Sequence, residues 1–420
     1  MNTLPHHVDV LIVGAGPTGL ALALALRRTG INACVVDKLA CLQNTSRAAV
    51  LHAHTLDMLD DLGVTSRMLD EGLRIASFGL HDRDHKLARL NFDTLPSQHN
   101  CLLMLPQDRT EQILYDALCE AGGAVHWQTQ CIDLQQVDQA VRVMVSTPHG
   151  IETVSASYVV GADGMHSRVR DVAGIGFGGH AYAESFILAD VEIEWALGRE
   201  EVRLFFAPEG MLVIAPLPNG WYRMVATLDQ APAEPGVADM QALLDARGPA
   251  NRAGRVTNVH WSSRFRLHHR VADHYRAGRL LLVGDAAHVH SPAGGQGMNT
   301  GIVDALLLAR MLAEVLAGRS TPDYLDQYET IRRPAALEVL ALSARLTRAS
   351  TLKSAPARVL RNLLFRLIGH TPALRHRIEM SFSGLSRRSA AVLPADHHCA
   401  TGTTGLGCTS ARQLATQDGH

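Results

Sequence analysis

The sequence predicts an α/β protein: a Rossmann-type dinucleotide-binding domain on a parallel sheet, a smaller antiparallel-sheet substrate domain, and C-terminal helices. Three observations lead there. A β-branched run, Val8 to Val13, passes through Gly14-Ala15-Gly16-Pro17-Thr18-Gly19 into an Ala- and Leu-rich helix, Thr18 to Arg28. A second buried-type strand, Arg279 to Val283, recurs far downstream and runs into another glycine-rich loop. Between them, Phe186 to Leu228 is strand-rich with stretches of strict alternation, the pattern of an antiparallel sheet with one solvated face.

Each element follows from local pattern. Val8 to Val13 is apolar throughout, as a parallel strand buried on both faces must be. The helix behind it ends at Gly30, and Asn32 to Val36 forms the next strand, closing on Asp37. His52 to Leu62 is predicted helical and stops at Gly63. Ile75 to Leu103 alternates irregularly and is charged, so its strands are expected to leave the first sheet. Arg109 to Ala121 is a further helix. Ala140 to Ser146 and Val154 to Val160 pair as a hairpin around Pro148-His149-Gly150.

After the alternating block, Pro232 and Pro235 mark a loop before a helix near Met240 to Asp245. A helix from Met298 to Leu316 follows the downstream glycine loop. Thr321-Pro322-Asp323 opens a long helical region, Tyr324 to Ser350, with a kink expected at Pro334. Basic amphipathic character from Arg358 to Arg377 admits a membrane-surface or lipid-substrate reading, but a helix capping the substrate domain is preferred. The division expected is 1–75, 101–180 and 265–330 for the dinucleotide domain, 76–100 and 181–264 for the substrate domain, 331–395 for C-terminal helices, and 396–420 as a disordered tail rich in Gly, Thr, Ser and His.

Composition narrows the function. With 420 residues, 19% charged and a net charge of -2, the chain has no basic excess for nucleic acid. Its seven cysteines make no CxxC pair, and its 22 histidines make no metal-binding helix pair, so no metal is expected. Val10 to Leu26 is apolar enough to suggest an export signal. Gly14 to Pro17 interrupts it and Asp9 precedes it, so a cytoplasmic location without membrane association is expected.

Three segments carry chemistry. In the first, Gly14 permits the tight turn, Gly16 lets backbone approach a pyrophosphate, and Gly19 allows close helix–strand contact. Asp37 lies where a carboxylate meets ribose hydroxyls. The second, Gly161-Ala162-Asp163-Gly164 with Ser167, Arg168 and Arg170, reads by itself as a strand end and an ordinary turn. The third places Asp285 after Val283-Gly284 at a strand's end, and then Gly294-Gly295-Gln296-Gly297-Met298-Asn299 opens a helix that can hold an anion.

In this order and spacing the set resembles the class A FAD-dependent monooxygenases, the aromatic hydroxylases with the para-hydroxybenzoate hydroxylase fold, over about residues 8 to 345. The resemblance implies that Gly14, Gly16, Gly19, Asp37 and the adjacent Lys38 hold the ADP half of FAD. It places Arg47 near the flavin phosphates and nicotinamide entry, and Gln107 and Arg109 beside the flavin chain. Asp163 would serve both FAD and NAD(P)H; Gly284 and Asp285 would meet the ribityl chain, and Pro292, Gly295, Gly297, Met298 and Asn299 the ring. NAD(P)H would be a transient co-substrate, since no second dinucleotide fold is seen, and no C-terminal thioredoxin-like unit is expected.

The activity so implied is NAD(P)H- and O2-dependent hydroxylation of an aromatic or polyketide-like molecule through a flavin C4a-hydroperoxide. The Trp-x-Trp-x-Ile-Pro signature of flavin halogenases is missing. A reductase of isoprenoid chains and a non-catalytic FAD-binding protein stay open as alternatives, and the chain could act as monomer or homodimer. Substrate-pocket candidates by alternation are Arg203, Phe205, Met211, Ile214, Tyr222 and Arg223. Arg47, Tyr222, Arg223 and His290 are the catalytic candidates. His288 and His290 could assist phenol deprotonation, with a structural role preferred for both.

Overall fold

The computed structural model describes residues 4–43, 48–228, 232, 234–251, 254–291, 294–350, 352 and 354–393. Arg47, Pro292 and the tail from 396 lie outside the described residues.

The first sheet forms where the sequence is most continuously apolar. Strand His7–Val13 pairs in parallel with Ala33–Val36 on one side and Gly150–Gly161 on the other, and Leu280–Leu282 joins beyond that. The register brings Val36, Val13, Gly161 and Leu282 side by side, so all four strands end at one edge. Helices Pro17–Arg28 and Gly297–Leu316 pack together against this sheet, with Leu20, Leu22, Leu24 and Leu26 fully buried. The hairpin is present as Ala140–Thr147 with Gly150–Gly161, and a third strand, Gln130–Val137, extends it into a meander.

The second sheet has eight strands. In spatial order they are His288–Val289, Arg255–Ala272, Phe177–Glu194, Tyr222–Leu228, Gly210–Pro216, Glu201–Ala207, Ser77–Asp82 and His85–Asn91. As expected, the segment after Ile75 does leave the first sheet. Two strands of 18 residues, Phe177–Glu194 and Arg255–Ala272, pair from Phe177 opposite Ala272 to Glu194 opposite Arg255. Domain boundaries drawn after 180 and before 265 therefore fall inside continuous strands. The sequence around Trp261-Ser262-Ser263-Arg264 breaks apolar alternation, which hid the second of them.

One expectation is corrected. The antiparallel sheet has no freely solvated face in its centre, and all seven residues of Glu201–Ala207 are buried. Helix Val237–Arg247 covers one face through Met240, Leu243 and Leu244. Helices Ala355–His370 and Pro372–Phe382 cover the other through Phe365, Ile378 and Phe382. The long helix spans Asp326–Ser350 after a short 3-10 turn and continues through Pro334. No helix among the described residues is long and apolar enough to cross a membrane.

Candidate functional site

The edge where the parallel strands end gathers all three sequence segments. Gly14 follows strand His7–Val13 with φ +108°, and a Cβ there would lie 2.4 Å from the Ala162 carbonyl oxygen of the neighbouring strand end. Gly19 is equally constrained, since its Cβ would fall 2.0 Å from the Gly14 oxygen. Gly16 meets nothing within 4 Å, so its glycine answers to no protein neighbour. The helix that starts beside it has no side-chain cap and no acidic residue in its first turn. Its N–H groups and positive dipole end remain available to an anion.

The acids at this edge differ in kind. Asp37 accepts the Ala15 N–H at 2.7 Å and the Leu39 N–H at 2.9 Å, so it braces the glycine turn. Lys38 beside it is exposed. Asp163 accepts the N–H groups of Arg168 and Val169 at 2.7 and 3.2 Å, while its Oδ1 is buried without a partner among the described residues. Burial pushes its carboxyl up, against these N–H bonds and Ser167, which pull it down. Asp285 alone of these is exposed, although Leu281 to Gly284 and Ala286 to Val289 around it are buried.

A second uncapped helix start belongs to a helix that packs on Thr18 and Gly284 at this edge. Helix Gly297–Leu316 begins after Gly294 and Gly295, both left-handed at φ +94° and +63°, with no side-chain cap and no acid in its first turn. The Asn299 side chain clamps it to the strand Val50–Leu51, accepting from the His52 N–H at 2.8 Å and donating to the Val50 oxygen at 2.9 Å. Gln296 donates to the Phe382 oxygen at 2.7 Å and accepts from the half-buried Arg387 at 3.1 Å. His52 closes the ring of contacts on the Gly294 oxygen at 2.9 Å, and burial lowers its pKa to about 4. Gly297 has only His290 near its missing Cβ, and Met298 packs against the first core.

The Gln107 and Arg109 pair separates. Two residues apart on a helix point to nearly opposite faces. Gln107 accepts the Ala48 N–H at 3.2 Å and donates to Glu111 at 2.9 Å, while Arg109 turns outward to an exposed ion pair with Glu71. Glu111, which pattern reading passed over, is buried, and burial raises its carboxyl to about 7.

His288 sits in a buried charged cluster. Its Nε2 lies 2.6 Å from Asp304 Oδ2, and Arg332 Nε donates to Asp304 Oδ1 at 2.6 Å, all three being buried. Burial alone would raise the Asp304 carboxyl, but Arg332 and His288 outweigh it and hold it low. A lone acid in the apolar first half of helix Gly297–Leu316 was the available signal. His290 donates from Nδ1 to the Ser291 oxygen at 2.8 Å, and burial lowers its pKa to about 4, so its ring is neutral at pH 7. Its Nε2 is buried without a partner among the described residues. Gly301 was also missed: its Cβ would fall 2.4 Å from Thr18 Oγ1 and 3.1 Å from the Gly284 Cα, so it lets the first and third segments meet.

The substrate candidates split between the two sheet faces. Phe205, Ile214 and Tyr222 belong to the cluster under helix Val237–Arg247. Tyr222 meets Trp195 edge-on there, and Arg203 sits 5.8 Å from the same Trp195 ring. Met211 packs in the other cluster, with Phe186 and Phe206. Arg223, next to Tyr222, projects oppositely to it. It pairs with Asp190 through two bonds of 2.8 Å, and its buried Nη1 has no partner among the described residues. On this same face Val213, Val225 and Phe265 are only half-buried although they lie within strands, and they pack in a cluster shared with Val50 and Leu346. This apolar patch of the sheet is thus only partly covered, with Val50 of the segment that leads to His52 in the same cluster. A recess of about 640 Å³ lined by His54, Asp57, Arg310 and Arg388 includes none of the cofactor candidates.

Residues 7–343 match a family model described as the FAD binding domain. The chain is 32% identical to the pentachlorophenol 4-monooxygenase of Sphingobium chlorophenolicum over 79% of its own length and 63% of that protein's. It is 34% identical to the 6-methylpretetramide 4-monooxygenase of Streptomyces rimosus over 91% of its length and 71% of that protein's. Among solved structures, the anhydrotetracycline hydroxylase from Streptomyces rimosus superposes with a TM-score of 0.75 at 33% identity, over 90% of this chain and 76% of that one. The chain therefore spans roughly two thirds of the length of the curated relatives it matches.

Proposed function

The chain belongs to the family of FAD-dependent aromatic monooxygenases, and from that premise we propose that it hydroxylates an aromatic or polyketide-like small molecule with NAD(P)H and O2. The observation that supports this most is the meeting of Gly14, Asp163 and Asp285 at adjacent strand ends, beside two uncapped helix starts. Bound FAD, reduced by NAD(P)H and supplied with O2, provides the activated oxygen atom.

This chain's residues then have separable tasks. The open approach at Gly16 and the helix start behind it receive the pyrophosphate. Asp285, exposed at its strand end, accepts hydroxyls of the ribityl chain. The N-terminus of helix Gly297–Leu316, held by Asn299 and His52, would offer its positive dipole end to negative charge on a bound flavin. Val213, Val225 and Phe265 offer an apolar floor for a planar substrate and exclude water from it. Arg223, whose Nη1 has no partner among the described residues, is the cation we assign to a substrate oxygen, while His290, lowered to about 4, is too weak a base to draw a phenolic proton and is assigned no acid–base role.

The test is O2 uptake and NAD(P)H oxidation by the yellow holoprotein in the presence of phenols, quinolones and polycyclic polyketides. A product carrying oxygen from isotopically labelled O2 supports the reading. Substrate-dependent turnover that continues without O2 would assign the chain to reductases instead. Bound flavin that neither NADH nor NADPH reduces would leave a non-catalytic binding protein.

A further inference from the structure

Helix Ala355–His370 does cap the second sheet, but with half of its surface. Its inner side is bound tightly: Phe365 stacks on Phe206 at 5.3 Å, Arg361 lies 4.3 Å over the same ring, and Asn362 donates to Asp82 at 2.6 Å. Ile368 is buried on that side. The outer side repeats apolar residues at helical spacing. Val359, Leu360, Leu363, Leu364 and Leu367 are 51 to 68% exposed, five of the twelve large apolar side chains in the described residues that are exposed at all. Scattered exposed leucines are ordinary, but a continuous stripe of several hundred Å² on one helix is not.

The charge around the stripe is one-sided. Between Glu338 and Glu379 the sequence contains seven arginines and one lysine, and no aspartate or glutamate. Arg358, Arg366 and Arg377 form no ion pair among the described residues, and Arg366 and Arg377 are exposed. The Asp82 carboxylate that touches the helix is taken by Asn362 on the inner side.

We propose that the outer face of helix Ala355–His370 docks on an anionic lipid surface, its leucine stripe entering the headgroup boundary and the flanking arginines meeting lipid phosphates. An in-plane helix with a leucine face and cationic flanks has the composition such binding requires. A second copy of the chain fits less well, because a two-fold contact through this stripe sets two carboxylate-free, arginine-rich segments against each other. Residues 394–420 offer the stripe little apolar sequence. They hold two leucines and no Ile, Val, Phe, Met, Trp or Tyr. The inference stands independently of the substrate assignment.

The experiment is co-sedimentation of the full-length holoprotein with sucrose-loaded vesicles, either pure phosphatidylcholine or phosphatidylcholine mixed with phosphatidylglycerol. Wild type should pellet with the anionic vesicles, weakly with neutral ones, and less as salt rises. Leu363→Ser with Leu367→Ser should lower the partition coefficient by about tenfold or more, because the lost burial falls on the membrane face. Unchanged flavin content and melting temperature would show that the variant is folded. Wild type remaining in the supernatant, or the variant binding as well as wild type, overturns the proposal. So does a dimer that the variant converts to monomer while wild type ignores vesicles, which assigns the stripe to a second copy.

Discussion

Asp190 and Arg223 face each other across neighbouring antiparallel strands and close a two-bond ion pair, Nε to Oδ1 and Nη2 to Oδ2, each at 2.8 Å. Both side chains are almost fully buried. Removing the cation strands a carboxylate, so Arg223→Met is expected to destabilise by about 3–5 kcal/mol. Asp190→Leu combined with Arg223→Met should restore much of that loss, since the charge is then gone. Urea unfolding of the three variants measures both effects, and a double variant no more stable than the single one contradicts the account.

Gly16 and Gly19 separate cofactor binding from folding. Gly19→Ala places a Cβ against the Gly14 carbonyl and should lower both the melting temperature and flavin content. Gly16→Ala meets no protein atom within 4 Å and its backbone is extended, so the fold should be kept. Under the proposed assignment the added methyl would stand in the approach of the pyrophosphate, and FAD affinity should fall about tenfold or more. Flavin titration of apoprotein alongside thermal melts distinguishes the two. Equal FAD affinity in Gly16→Ala and wild type would remove the assignment.

Three histidines, His52 and His54 buried and His290 half-buried, set an acid limit on stability. Burial lowers His52, His54 and His290 to about 4, below the ordinary 6.5. As pH falls, the unfolded chain protonates first, so stability is full above about 6.5 and is lost as pH drops toward 4. Each group contributes a slope of up to about 1.4 kcal/mol per pH unit in that window. Unfolding free energies measured from pH 7 to 4.5 should fall steeply in wild type and less steeply in His52→Gln. Parallel curves would mean His52 is not neutral in the fold.

Glu111 acts in the opposite sense. Its folded pKa of about 7 exceeds the ordinary 4.5, chiefly through burial. The fold therefore favours the protonated form, and this contribution is complete below pH 4.5 and lost as pH rises through 7. Glu111→Gln should keep its bond to Gln107 and remove the decline, worth up to about 1.4 kcal/mol per pH unit between those limits. Melting curves at pH 5, 6 and 7 check this, and an unchanged slope in the variant rules it out.

The sequence by itself determined the parallel domain and the first and third segments at its edge, because their signals are local; the Asp163 segment reads alone as an ordinary turn and gains meaning only beside the other two. An apolar run before a glycine turn, or an aspartate after Val283-Gly284, needs only near neighbours to be read. The mixed second sheet was legible as strands but not as a two-sided layer. The helices that cover it, Val237–Arg247 and Ala355–His370, are distant in sequence, and alternation cannot show which face a distant helix will take. Tertiary structure alone decided that Tyr222 and Phe205 face the Val237–Arg247 helix while Arg223 pairs with Asp190, since a strand turns successive side chains to opposite faces. It likewise decided that Arg109 turns outward to Glu71 while Gln107 turns toward the 48 segment. Gly301, Asp304 and Glu111 acquire their roles only from partners brought by packing: Thr18 and Gly284, Arg332 and His288, and Gln107 within a buried surround.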